Sequence, residues 1–463
     1  MVGDVFVYEQ QQLQVLAAAA LEHARNAGAD EATVRLGESE TFSLNVRNGD
    51  LDSFQHRRNK QIAITVYIGE RSGSSYSSDL SDGAVREATA AAVAIALQTG
   101  TDAYAGVVRR EDLASEFSDL DLYHPWRLDT PSALEIAREL ETLSLQWPGQ
   151  SPAAALFPEP PRAVLASSGA GVSTSHGQSL FATSQGFSQG EVYSYHGLSS
   201  DVFASTDQGM QAGQWWSDAR SRNGLMTPAQ VGGMAAFRAS RGLGGQRLKS
   251  CDAPVLFEAP VAQSLFGHLF AAISGAAQYR NQSYLPDSLN TSVMAAHIDI
   301  GEYPHEKSGP ASSSFDAEGV ATRERLLVSE GVLQSYLLDA YSARRLGLAL
   351  TGNAGGARNV RISSRRAQAS DGLAELVRAM DRGLLVTDIL GGGVNPVTGD
   401  YSQGVAGFWV DKGVIRYPVE DITIAGNLHD IFHGIQAIGR DELSGAGVRC
   451  GSVLVEHMRI AGL

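Results

Sequence analysis

Fifty of the 463 residues are glycine, against roughly 32 at the usual share of about 7%. No G-X-Y period accompanies them, which excludes a collagen helix. The surplus must serve turns, bulges and places where two stretches of backbone approach closely. Asn48-Gly49 is the sharpest instance, because both positions of a two-residue hairpin turn favour positive φ.

Around that turn the pattern alternates between helix and strand periods. Residues 9–27 repeat Leu13, Leu16, Ala17, Ala20 and Ala24 at helical spacing, and Gly28 supplies a stop. Extended segments are expected at 32–36 and 41–47, then at 51–57 and 61–68, with Asn59-Lys60 as a further turn. A second helix opens at Ser81 or Asp82, repeats Val85, Ala88, Ala92 and Ile95, and ends by Gly100. The order α-β-β-β-β-α predicts a two-layer α/antiparallel-β sandwich.

The length is about three times the soft domain prior of roughly 150 residues, so two or three domains are expected. We divide the chain into an N-terminal α+β domain (1–105), a linker helix with a β-rich middle region (106–228), and a large α+β C-terminal domain with mostly antiparallel sheet (229–463). In the middle, Thr130 is the expected cap of a helix with Pro131 at its first position and 133–145 propagating it. Five of the fifteen prolines fall between Trp147 and Arg162, which reads as a surface linker or long loop. Residues 192–195 and 201–205 alternate as strands, and helices return near 227–241 and 259–274.

The charge balance, 36 − 51 = −15, disfavours nucleic acid and anionic membrane surfaces. The tight basic cluster Arg57, Arg58 and Lys60 reads as an exposed hairpin edge. No apolar run approaches the roughly 18 residues of a membrane span, and the start has no basic region of a signal peptide. Two cysteines, Cys251 and Cys450, make no disulfide framework and fit a reduced cytoplasm.

No motif announces catalysis. Gly186-Phe187-Ser188-Gln189-Gly190 matches a nucleophile elbow, but a strand pattern rather than a helix follows it, so a hairpin is expected. Gly242–Ser250 lacks the Gly before Lys of a phosphate loop, and Gly391-Gly392-Gly393 follows a strand (384–389) but opens no helix. His429 and His433 would share a helix face and could hold zinc with Cys450, yet Asp430 stands where a zincin has Glu, and a solvated face is the plainer reading. Asp316 and Glu318 could pair as carboxylates, or Asp316 could brace a turn through its own backbone.

Longer phrases carry more. Ser314-Phe315-Asp316-Ala317-Glu318-Gly319, Tyr336-Leu337-Leu338-Asp339, Thr351-Gly352-Asn353-Ala354, Asn395-Pro396-Val397-Thr398-Gly399-Asp400-Tyr401-Ser402 and Ile422-Thr423-Ile424-Ala425-Gly426-Asn427-Leu428 occur in order. With them the chain resembles the TldD/PmbA family, and within it the PmbA (TldE) branch, over essentially its full length. The resemblance implies a peptidase assembly, a metallopeptidase family once called modulator of DNA gyrase. In the TldD branch a His-Glu-x-x-x-His helix and a C-terminal Cys hold zinc. TldD and TldE subunits pair and cleave extended or unfolded peptides, including microcin leader peptides and an antitoxin.

Against that pattern, Gly267 and Ala272 stand where the ligand histidines would be and His268 where the general base would be, while Cys450 remains. The resemblance therefore implies a subunit without a catalytic residue, metal or cofactor of its own, zinc being expected in a TldD-like partner. Asp316, Glu318, Thr351, Asn353 and Gly355 are the expected peptide-groove or partner contacts. The alternatives are a peptidase active alone, through His429, His433 and Cys450, and a homodimeric peptide-binding module.

Overall fold

The computed structural model describes residues 5–147, 155–207, 209–368 and 370–462. It is an α+β structure, rich in strand. First come α1 (Gln10–Asn26), β1 (Glu31–Arg47), β2 (Asp50–Ile68), β3 (Arg71–Ser77) and α2 (Asp82–Gln98). Next follow α3 (Thr130–Leu145), β4 (Val164–Thr183), β5 (Ser188–Thr206), β6 (Gly209–Ala219) and α4 (Pro228–Arg241). Their strands make one six-stranded antiparallel sheet in the order β3-β2-β1-β4-β5-β6. All four helices cover one face, α1 and α2 over Val34, Leu36, Ile62 and Ile64, α3 and α4 over Leu44, Val172 and Val202.

The remainder of the chain runs β7 (Cys251–Phe257), α5 (Ala259–Ala272), α6 (Gly275–Tyr279), β8 (Ile298–Glu302), β9 (Arg325–Ser329), β10 (Val332–Leu333), α7 (Ala340–Leu346) and β11 (Val360–Ser364). It ends with α8 (Leu373–Met380), β12 (Gly383–Val394), β13 (Asp400–Asp411), β14 (Val414–Asn427), α9 (Leu428–His433), β15 (Ile435–Ile438), β16 (Val448–Arg449) and β17 (Val453–Ala461). Two mostly antiparallel sheets result, β10-β9-β8-β11-β16 and β14-β13-β12-β7-β17-β15, with β7–β12 and β11–β16 parallel. They share a core in which α5 buries Val261, Leu265, Phe266 and Leu269. No described helix is long and apolar enough to cross a membrane.

Several expectations change at the level of single elements. Asn59-Lys60 is no turn: Asn59 pairs with Ser39 and Lys60 with Glu38, so β1 and β2 each run unbroken and only three strands separate α1 from α2. The apolar alternation lapses there because residues 55–61 are exposed, not because the chain reverses; Arg57, Arg58 and Lys60 do lie on this exposed arm. Ile95 is 46% exposed, and Thr89 and Ala96 complete the buried stripe of α2 instead. Asp129, not Thr130, caps α3, its carboxylate accepting the Ser132 N–H, so Pro131 sits second in the helix. Gly391-Gly392-Gly393 lies inside β12. Part of the proline-rich linker, 148–154, lies outside the described residues. Gly186–Gly190 is the expected hairpin, joining β4 to β5.

A strap crosses the helix-bearing face of the sheet beside α3. His196 Nε2 donates to the His124 carbonyl at 2.8 Å, and His176 Nε2 accepts the Trp126 N–H at 3.2 Å. Burial, and then neighbouring His196, lowers His176 from the ordinary 6.5 to about 4. Below pH 6.5 the unfolded chain binds a proton that the folded ring refuses, so stability falls as the pH drops toward 4. After allowing for screening by water, this histidine should account for about 1–2 kcal/mol of acid destabilisation. Urea unfolding at pH 7 and pH 5 should show a smaller loss for His176→Gln than for the parent chain. Equal losses would remove His176 as the cause.

Candidate functional site

Helix α5 starts from Glu258, with Pro260 in its first turn where no N–H is needed. Its buried stripe fixes which way the remaining positions face. Gly267 is exposed and Ala272 is buried, and neither residue type has a side-chain atom that can ligate a metal. His268, half-buried, lies edge-on to Tyr401 with ring centroids 5.9 Å apart, and burial lowers its pKa. Cys450 is fully buried in the core that holds α5 and donates its thiol hydrogen to the Gly451 carbonyl at 3.2 Å. Burial, with Glu442 and Asp441 adding to it, pushes that thiol well up.

His429 and His433 do share a face of α9, their ring centroids 4.2 Å apart, and His433 Nδ1 donates to the His429 carbonyl at 2.8 Å. Among the described residues, no group of three or more His, Cys, Asp or Glu side chains is disposed to hold a metal ion.

Asp316, Glu318, Thr351 and Asn353 gather where the 314–320 turn meets the 351–356 loop. Asp316 Oδ1 accepts the N–H groups of Glu318 and Val320 at 2.8 and 3.0 Å, bracing its own turn, and Oδ2 accepts that of Ala354 at 3.0 Å. Asn353 donates to the buried Glu302 carboxylate at 2.8 Å. Thr351 Oγ1 accepts the Leu338 N–H, and Glu318 Oε2 accepts the Ala340 N–H. Burial, with Asp316 and Asp339 adding repulsion, raises Glu318 to about 7. Asp316 and Asn353 are thus buried braces, whereas Gly355, at φ 93°, is exposed. Thr351 and Gly352 line a cavity of about 760 Å³ with His305, Thr322, Arg323 and Glu116.

A second cavity, about 280 Å³, opens between β6, α5 and β12. Trp215, Trp216, Tyr401 and Gln403 line it beside His268, and only His268 of these was singled out from sequence. The adjacent tryptophans on an alternating strand were the available signal, since alternation must leave one of them on the uncovered face. Arg238, on its wall, is paired with Glu258 at 2.9 Å and Asp388 at 3.1 Å.

Three models of metallopeptidase domains match the chain: PmbA/TldA domain 1 over 32–96, the central domain over 123–243, and the C-terminal domain over 250–462. The chain is 38% identical over 435 residues to metalloprotease PmbA of Escherichia coli O157:H7, covering 94% of this chain and 92% of that one. It is 35% identical over 454 residues to a metalloprotease PmbA homolog of Haemophilus influenzae, covering 98% and 97%. A metalloprotease TldD homolog of the same organism is 26% identical over 170 residues, covering 35% and 34%. Among solved structures, a proposed modulator of DNA gyrase from Bacteroides thetaiotaomicron superposes with TM-score 0.88 at 22% identity, covering 99% of this chain and all of that one. TldE from Thermococcus kodakarensis gives 0.79 at 16%, covering 96% and all. These two likenesses speak for the fold.

Proposed function

Because the chain belongs to the PmbA/TldD metallopeptidase family, we propose that it is the non-metal subunit of a TldD–TldE-type peptidase acting on extended or unfolded peptides. One correspondence carries the reading: α5 holds Gly267, His268 and Ala272, which the family resemblance sets at the two ligand positions and the base of the metal helix. A lone imidazole beside a tyrosine ring, with Cys450 protonated in the core, does not fit a catalytic divalent ion. No step through a metal is therefore assigned to this chain.

A TldD-like partner would supply zinc and the hydrolytic water, and this chain would supply wall and grip. The pair of names in Haemophilus influenzae, PmbA homolog and TldD homolog, supports such pairing. For the peptide or partner contact we favour the cavity lined by Thr351, together with Glu318 and Gly355 on the adjoining turn and loop, the buried Asp316 and Asn353 holding that loop in shape. Free Cys251 and Cys450 support a reducing cytoplasm.

The test is metal content and cleavage of an unfolded peptide, with and without a TldD-like subunit. The isolated chain should carry well under one zinc per subunit and cleave nothing, and cleavage should appear when the partner is added. Chelator-sensitive cleavage by the isolated chain would overturn the proposal. A stable homodimer that ignores the partner would favour a peptide-binding module instead.

A further inference from the structure

We propose that the cavity between β6 and β12 is a side-chain subsite, receiving one aromatic or large apolar residue of an extended peptide paired to the edge of β12. The inference rests on the peptide-binding reading and says which residues of a peptide this chain selects.

The main chain comes first. β12 pairs with β7 through 384–386, so among the described residues the stretch from Asp388 to Val394 is bonded to β13 alone and its other edge is open. β6 is likewise the last strand of its sheet. Two open edges thus flank one cavity, and an open edge bonds any extended peptide while pockets read alternate side chains. Leu390 on β12 is 68% exposed and Trp216 on β6 is 50% exposed, apolar surface of the kind that marks a contact site.

The cavity selects by size and by charge. At about 280 Å³ it falls just below the range of pockets for whole small molecules and suits one bulky side chain. Trp215, Trp216, Tyr401, Val261 and Ile389 line it with aromatic and aliphatic side chains. Its charges are already closed: Arg238 is held by Glu258 and Asp388 and donates to the Thr387 carbonyl at 2.7 Å. A charged side chain entering would be desolvated with no free counter-ion.

Three of the polar residues lining the cavity are uncommitted, whereas Ser264 and Thr387 are bonded to the Val261 carbonyl and the Asp388 carboxylate. These three are His268, Gln403 and Tyr401, whose side chains make no hydrogen bond to another described residue; the His268 and Tyr401 rings touch only edge-on. They can meet a peptide carbonyl or a phenol at the rim, which gives aromatic residues with a polar tip a place as well.

The experiment titrates the full-length chain with nine-residue Ser/Thr/Gly peptides differing only in a central Phe or Asp. The Phe peptide should bind at least ~10-fold more tightly, a difference of about 1.4 kcal/mol. Trp216→Ala should remove that preference. Ser264→Phe, placed on the exposed rim of the cavity, should block it while far-UV circular dichroism stays unchanged. A Phe peptide N-methylated at alternate residues should lose binding altogether. If Phe and Asp peptides bind equally, or both variants keep the preference, the subsite is wrong and the peptide-binding reading stands. If neither peptide binds, the peptide-binding reading falls and takes the subsite with it.

Discussion

Glu258→Ala should destabilise the protein by about 3–5 kcal/mol, the usual consequence of stranding a buried charge. Glu258 is 9% exposed and takes Arg241 in a two-pronged bond at 2.9 and 2.8 Å, with Arg238 joining at 2.9 Å. Arg241 is walled in by the rings of Phe157, Phe237 and Phe408, at 4.7, 5.2 and 5.8 Å from its guanidinium. Burial alone would raise the Glu258 carboxyl, but Arg241 and Arg238 outweigh it and hold it below the ordinary range. At neutral pH the cluster is therefore two cations around one anion, with Asp388 completing the balance at the surface.

Removing the anion leaves Arg241 buried with no countercharge. Urea unfolding of Glu258→Ala, Arg241→Met and the double variant tests the coupling. The double variant should lose clearly less than the sum of the two single losses, since the second change removes the charge that the first left stranded. Additive losses would sink the claim. The cluster also ties α4, α5 and β12 together, because the Glu258 N–H donates to the Val386 carbonyl at 2.9 Å and Arg238 to that of Thr387. Those elements wall the proposed subsite, so the same variant should also weaken binding of the Phe peptide.

How much of this was legible in the sequence depends on the range of the contacts. Of the helical stripe Leu13, Leu16, Ala17, Ala20 and Ala24, all but the half-buried Leu16 are fully buried as the spacing predicts, and Asn48-Gly49 turns with φ of 54° and 80°. These are local patterns, decided within a few residues. The break expected at 37–40 failed because Glu38 is a buried carboxylate in mid-strand, accepting from the Val7 and Tyr8 N–H groups and from Gln178. A satisfied polar group interrupts apolar alternation without interrupting the strand.

The candidate site was legible where one helix carried it and opaque where distant segments met. Positions 267, 268 and 272 fall on α5 as expected. The cavity beside them needs β6, α5 and β12, which are far apart in the chain and are brought together by pairings such as β7 with β12. A single sequence contains no term for that. Nor could Asp316 and Asn353 be separated from Thr351 in advance, since all three occur in one set of phrases and only burial distinguishes brace from surface.

Gly213→Val should cost about 3 kcal/mol or more, at or beyond the upper end of overpacking changes, because nothing nearby can yield. A Cβ at Gly213 would lie 2.2 Å from the Ala239 nitrogen, 2.4 Å from the Ala235 carbonyl oxygen and 2.8 Å from the Ala239 Cα. All three are backbone atoms of α4, so relief requires the whole helix to lift off β6, and α4 carries Arg238 and Arg241. Gly83 is the contrast: it lies in the first turn of α2, at negative φ, with nothing within 4 Å of its Cβ position. Gly83→Ala should stabilise by about 0.4–1 kcal/mol through lost freedom of the unfolded chain. Thermal midpoints should therefore move in opposite directions for the two substitutions, and a Gly213 variant melting with the parent would refute the packing argument. The glycine surplus is then of two kinds: some positions are replaceable slack, and others are where β6 and α4 lie too close for any side chain.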